Sequence, residues 1–169
     1  MISRAFITAW RSHVPWVDDA QVEQDLVLSR ALAEIYSDPL LTEELAFRGG
    51  TALHKLFFKP AGRYSEDIDL VQVRAGPIGA IIDALRARLD PWLGSPQRKQ
   101  GHGRVTLIYR FMSEIPPTEP LRLKVEINTP QTVDPFSGRE ALLADLAVEI
   151  RHFIEAGKGP TNQVVNSPF

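Results

Sequence analysis

Residues 66–71 read Glu-Asp-Ile-Asp-Leu-Val. Acidic and apolar side chains alternate here with a period of two, the period of a β-strand and not of a helix. In a strand Asp67 and Asp69 face one way, roughly 6.6 Å apart along the backbone at about 3.3 Å per residue. Ile68 and Leu70 face the other way and anchor the strand in a core. Two carboxylates that close repel each other, and one tends to protonate unless a cation lies between them. The pattern is therefore that of a chelating pair on a half-buried strand. A solvated strand end is the simpler alternative for any lone D-x-D.

Upstream stands 49-GGTALHKLFF-58. Gly49 and Gly50 sit between a predicted short strand, ELAFRGG, and a predicted helix that Pro60 and Gly62 stop. Glycine permits a sharp turn and a close approach of phosphate to backbone amides. The first N–H groups of the helix point at the same place. Thr51 adds a hydroxyl. A plain turn is again the simple alternative, but the order Gly-Gly-Thr, helix, Asp-Ile-Asp strand favours a site that holds a nucleotide triphosphate beside a metal. Two-metal phosphoryl transfer calls for a further carboxylate. Glu126 is the candidate, on the polar face of 121-LRLKVEINT-129, and Lys124 shares that face.

The chain of 169 residues contains no cysteine, so thiolate metal sites and disulfides are excluded. Carboxylate and carbonyl ligands favour a hard ion, magnesium. The N-terminus lacks the apolar stretch of a signal peptide, and no run approaches the roughly 20 residues needed to cross a bilayer. The expectation is a cytoplasmic protein with no membrane partner. Net charge is −2, but residues 86–124 hold 8 basic against 3 acidic side chains, a net of +5 between acidic flanks. Such a region could focus phosphate onto one surface, or could be a solvated face whose charges point several ways.

Residues 18–37 are predicted helical, with Asp18 and Gln21 in a capping box. A second helix spans 77–90, closed by Pro91. Residues 94–103 and 113–120 read as loops. RVTLIYRF and LRLKVEINT alternate as strands. Ser137 and Glu140 form another capping box, opening a helix with a Leu143–Ile154 stripe. The expected fold class is α/β (α+β), a mixed sheet flanked by helices. One domain is placed at residues 1–156, and a loosely ordered tail at 157–169.

The text 23-EQDLVLSRALAEIY-36, 45-LAFRGGTALHKLFF-58, 63-RYSEDIDLV-71 and 122-RLKVEIN-128 resembles the AbiEii/AbiGii toxin family, which includes the MenT toxins, within the polymerase β-like nucleotidyltransferase superfamily. The resemblance spans roughly residues 20–130. It implies a polymerase β-like nucleotidyltransferase core. It further implies magnesium-dependent transfer of a nucleoside monophosphate from an NTP, an RNA acceptor such as tRNA, and a cognate antitoxin. By motif, Gly49, Gly50, Thr51, Lys55 and Ser65 would meet nucleotide phosphates. Asp67 and Asp69 would bind metal, with Glu126 at the third acidic position. The expectation is that the family's usual C-terminal helical domain is absent. A weakened nucleotide- or antitoxin-binding module and a metal-dependent kinase are the alternatives. Lys55 and Lys124 could contact phosphate, or could instead line a helix face and pair with a neighbouring acid.

Overall fold

The computed structural model describes residues 2–57 and 64–129. Lys59, Pro60, Gly62, Arg63, the helix expected after Ser137 and the tail at 157–169 lie outside them, as does the domain boundary at 156.

Five strands form one mixed sheet: β1 Leu45–Arg48, β2 Asp67–Gln72, β3 Gln97–Gly101, β4 Arg104–Met112 and β5 Pro120–Asn128. The order across the sheet is β1-β2-β5-β4-β3. Strands β2 and β5 run parallel, and every other neighbouring pair is antiparallel. This is the α/β mixed sheet expected from the sequence, and it suits a nucleotidyltransferase-type fold.

One face of the sheet is apolar and covered. Ile68, Leu70, Leu107, Tyr109, Leu123, Val125 and Ile127 are all 0% exposed. Against them pack α2 (Asp19–Tyr36) and α5 (Gly79–Leu93), which supply Leu28, Ile35, Leu85 and Leu89. Asp18 caps α2 by accepting from the N–H of Ala20, leaving Gln21 no reciprocal part. Gln24 ties α2 to the start of β5, donating to Arg122 O at 2.7 Å.

Four features depart from the sequence reading. Helix α5 runs past Pro91 and ends at Gly94, whose φ of +79° and N–H to Asp90 O form the stop. Pro91 lies in that last turn, and Trp92 and Leu93 pack inward beyond it. Helix α4 (Gly49–Leu56) begins on the glycines themselves, with Arg48 as N-cap, and not at Thr51. Residues 97–101, expected in a loop, form strand β3 through pairing with β4 across a turn at Gly103. Two short helices were not foreseen: α1 (Arg4–Trp10), continued by a 3-10 turn, and α3 (Pro39–Glu44), capped by Asp38.

Candidate active site

The opposite face of the sheet is where the acidic residues meet. Register pairs Asp67 with Lys124 and Asp69 with Glu126 on parallel β2 and β5, and Arg48 of β1 with Asp69. These five side chains therefore share one face, opposite the buried Ile68 and Leu70. The parallel pairing brings together residues 57 positions apart in the chain.

Helix α4 starts at the same edge. Gly49 has φ +81°, a conformation that side chains rarely adopt. Its backbone lies against the Asp69 carboxylate: a Cβ there would overlap Asp69 Oδ2 and lie 3.1 Å and 3.2 Å from Asp69 Cβ and Cγ. Only glycine fits in both respects. Gly50 is different: it is exposed, and a Cβ on it would meet no atom within 4 Å. The conformational demand thus falls on Gly49. The space beside Gly50 is open to a ligand approaching the amides of the first turn.

Thr51 and Ser65 are brought together, but not as free donors. Thr51 is fully buried, and its hydroxyl reaches Asp67 O at 2.7 Å and Ser65 Oγ at 2.5 Å. A carbonyl only accepts, so the single Thr51 proton goes to Asp67 O, and Ser65 donates to Thr51. The pair locks the start of β2 onto α4. The sequence reading has the Thr51 hydroxyl as a donor to phosphate; in this structure that hydroxyl is engaged within the protein.

Lys55 is directed elsewhere as well. Its ammonium donates to Asp25 Oδ1 at 2.7 Å and to Ser29 Oγ at 2.9 Å, both on α2. Asp25 is 1% exposed and also accepts from Trp10 Nε1 at 2.8 Å and Trp16 Nε1 at 3.1 Å. Lys55 is a structural ion partner in this arrangement, because a buried carboxylate needs a cation more than a solvated phosphate site does. Replacing Lys55 by Met should lower unfolding free energy by about 3 kcal/mol, since it strands Asp25 in the interior. Urea denaturation checks this. The two tryptophans, scattered in sequence, converge on Asp25 through α1 and the segment after it. Tyr64, next to Ser65, packs edge-on against Trp16 with ring centroids 5.3 Å apart.

The electrostatics of the edge follow from its acids. Asp69 is held above the usual carboxylate range by burial first, then by the like charges of Asp67 and Glu126, against Lys124 and Arg48. Lys124 Nζ donates to Asp67 Oδ2 at 2.9 Å and lies 3.3 Å from Glu126 Oε2. The hydrogen bond to Asp67 is the main reason its ammonium is held above the ordinary lysine value. Arg104 Nη1 approaches the other Glu126 oxygen at 3.4 Å. Asp67 Oδ1 is buried and accepts no hydrogen bond. Among the described residues no three acids or histidines form a metal cage, and Lys124 pairs with both Asp67 and Glu126. The donors are nonetheless all oxygens. An unused buried carboxylate oxygen beside a second carboxylate kept from easy ionisation is what a hard divalent cation fits. Arg48 and Arg104 were not singled out from sequence, and only the strand register reveals them.

The basic middle of the chain splits between two surfaces. Arg86 and Arg88 sit on α5, paired with Asp90 and Asp38. Arg98 is opposite Leu107 and so belongs to the apolar side of the sheet. Lys99, Arg104, Arg110 and Arg122 are exposed, and by register they share the face of Asp67 and Lys124. No helix among the described residues is long and apolar enough to cross a membrane.

A family model described as nucleotidyl transferase AbiEii toxin, type IV TA system, matches residues 30–151. The match takes in α4, β2 and β5 and hence every residue of the edge just described. No curated protein matches the chain.

Proposed function

This chain belongs to the AbiEii nucleotidyl transferase toxin family of type IV toxin–antitoxin systems, and from that premise we propose that it moves a nucleoside monophosphate from an NTP onto RNA, with tRNA as the acceptor. The observation that carries the reading is the contact of the Gly49 backbone with the Asp69 carboxylate. It sets the first amides of α4 beside the acidic pair, so phosphate-binding donors and cation-binding acceptors converge on one point. In this reading the N–H groups at Gly50 and Thr51 hold the outer phosphates. Asp67 and Asp69, with Glu126 as the third carboxylate, hold magnesium. Bound there, the ion would neutralise the phosphates and polarise the bond to be broken. The acceptor hydroxyl attacks the α-phosphorus and gives up its proton to solvent. The new O–P bond forms as the α–β bond breaks, and pyrophosphate leaves. Arg48 beside Asp69 limits the accumulation of negative charge at the edge. A cognate antitoxin is the protein partner expected of the family.

The acceptor assignment is supported by the exposed cations that share the acidic face. Nucleic acid binding through phosphates weakens with salt as counterions return, by about 0.7 log unit per contact per tenfold rise for a single strand. Exchanging Lys99 and Arg110 for glutamate should therefore lower tRNA affinity and flatten the salt slope. The exchange Arg86→Glu, on α5, should change neither. Filter binding across a salt series measures both.

The function is tested by incubating the protein with magnesium, each α-labelled NTP in turn, and total tRNA. Label in RNA is the expected outcome. Binding of nucleotide without any transfer would favour a binding module, and label confined to protein would overturn the RNA assignment.

A further inference from the structure

Lys124 occupies an unusual position. Its ammonium is 2.9 Å from Asp67 Oδ2 and 3.3 Å from Glu126 Oε2, in the midst of the acids that the proposed function assigns to the metal. It is a partly exposed side chain on β5, with a flexible stem that can leave the site without disturbing the strand. The other cations near these acids are placed differently, Arg48 facing Asp69 by register. Arg104 reaches only the far oxygen of Glu126, and the remaining Asp67 oxygen accepts nothing. Lys124 therefore neutralises two of the acids as a divalent cation would, but with one charge and at longer range.

We propose that Lys124 is a built-in counter-cation of this site, which a divalent ion must displace in order to bind Asp67 and Glu126 together. The inference rests on the reading of Asp67, Asp69 and Glu126 as the cation site and deepens it. While the site lacks an ion, the ammonium keeps the acids from repelling one another. When an ion enters, the ammonium loses both partners and turns to the open face, where the phosphates of a nucleotide would arrive. The ammonium and the ion carry like charge and are drawn to the same two carboxylates, so Lys124 lowers the affinity of the protein for the ion alone. The role is one of positioning and competition, and it differs in sign from simple support. A residue that merely props the carboxylates would strengthen ion binding.

The test is a titration of the full chain with Mn2+ alone, following free Mn2+ by electron paramagnetic resonance. Lys124→Met and Lys124→Gln are compared with the parent, and Asp69→Asn serves as control. The expected result is about two- to fivefold tighter Mn2+ binding in both lysine variants, the scale of one partly exposed ion pair. Thermal unfolding gives a second readout: without metal the variants should melt below the parent, and Mn2+ should raise their melting temperature by more than it raises that of the parent. Equal or weaker Mn2+ binding in both variants overturns the proposal while leaving the cation site itself intact. If Asp69→Asn binds Mn2+ like the parent, the cation site is elsewhere and the reading beneath the proposal fails. Should both lysine variants be unfolded without metal, recovery of the folded signal in Mn2+ supports the displacement, and absence of recovery contradicts it.

Discussion

Asp69→Asn is expected to lower nucleotide transfer by about a thousandfold or more, the scale set by losing several kcal/mol of charge stabilisation from a metal ligand. The apoprotein should be no less stable for it. Burial and the charges of Asp67 and Glu126 hold the Asp69 carboxyl above its ordinary value. The folded state therefore keeps this proton to a higher pH than the unfolded state does. Stability falls as pH rises from the ordinary carboxylate value through the raised one, and the ionised form is a net cost above that window. Asparagine removes the cost. Near neutral pH the variant should thus melt at or above the parent in the absence of metal, and the difference should vanish in acid. Asp67→Asn should abolish transfer equally but behave differently in stability, because it gives up the charged hydrogen bond from Lys124. That pair is partly exposed, so its loss is expected to cost about 0.5–1 kcal/mol. Single-turnover transfer together with thermal unfolding at acid and neutral pH separates the two variants.

The second large effect is expected at Gly49. Alanine there must adopt a φ of +81° and place its Cβ against the Asp69 carboxylate. The backbone strain alone is on the order of 1–2 kcal/mol, and the overlap adds to it unless Asp69 moves. Movement of Asp69 displaces a proposed metal ligand, so transfer should fall at least about a hundredfold even in molecules that fold. Gly50→Ala makes no such demand on the protein. Its folding should be near that of the parent, and its effect should appear in nucleotide affinity if a phosphate comes close to that amide. Parallel measurement of unfolding and NTP affinity in the two variants checks this contrast. Parental stability and transfer in Gly49→Ala would contradict the close approach.

The uneven legibility of the sequence has physical causes. The strands β2, β4 and β5 could be read because one face of each is fully buried, which forces apolar residues into strict alternation. Helix α2 carried both a cap and a stripe. Strand β3 could not be read: Gln97–Gly101 is exposed throughout, and only its pairing with β4 makes it a strand. Helix α3 is a single turn and a half and carries too little periodicity to stand out, although the structure shows Asp38 capping it.

At the candidate site, the i, i+2 aspartates and the glycines stood out because their spacing is local. Asp69 beside Glu126, and Lys124 on Asp67, depend on β2 lying parallel to β5, and no local pattern encodes which strands are neighbours. The same limit explains Lys55 and Thr51. Both lie within a motif that suggests phosphate, yet their partners Asp25 and Asp67 O are reached only through tertiary packing. Arg98 and Lys99, adjacent in sequence, are separated by the strand period onto opposite faces.

The central claim is that this acidic edge transfers the nucleoside monophosphate of an NTP. The most direct test gives the protein magnesium, tRNA and an NTP labelled either at the α- or at the γ-phosphate, with Asp69→Asn in parallel. The claim predicts α-label in RNA, γ-label only in released pyrophosphate, and neither product from Asp69→Asn. Transfer of the γ-label to RNA or protein, or undiminished α-transfer by Asp69→Asn, would contradict it.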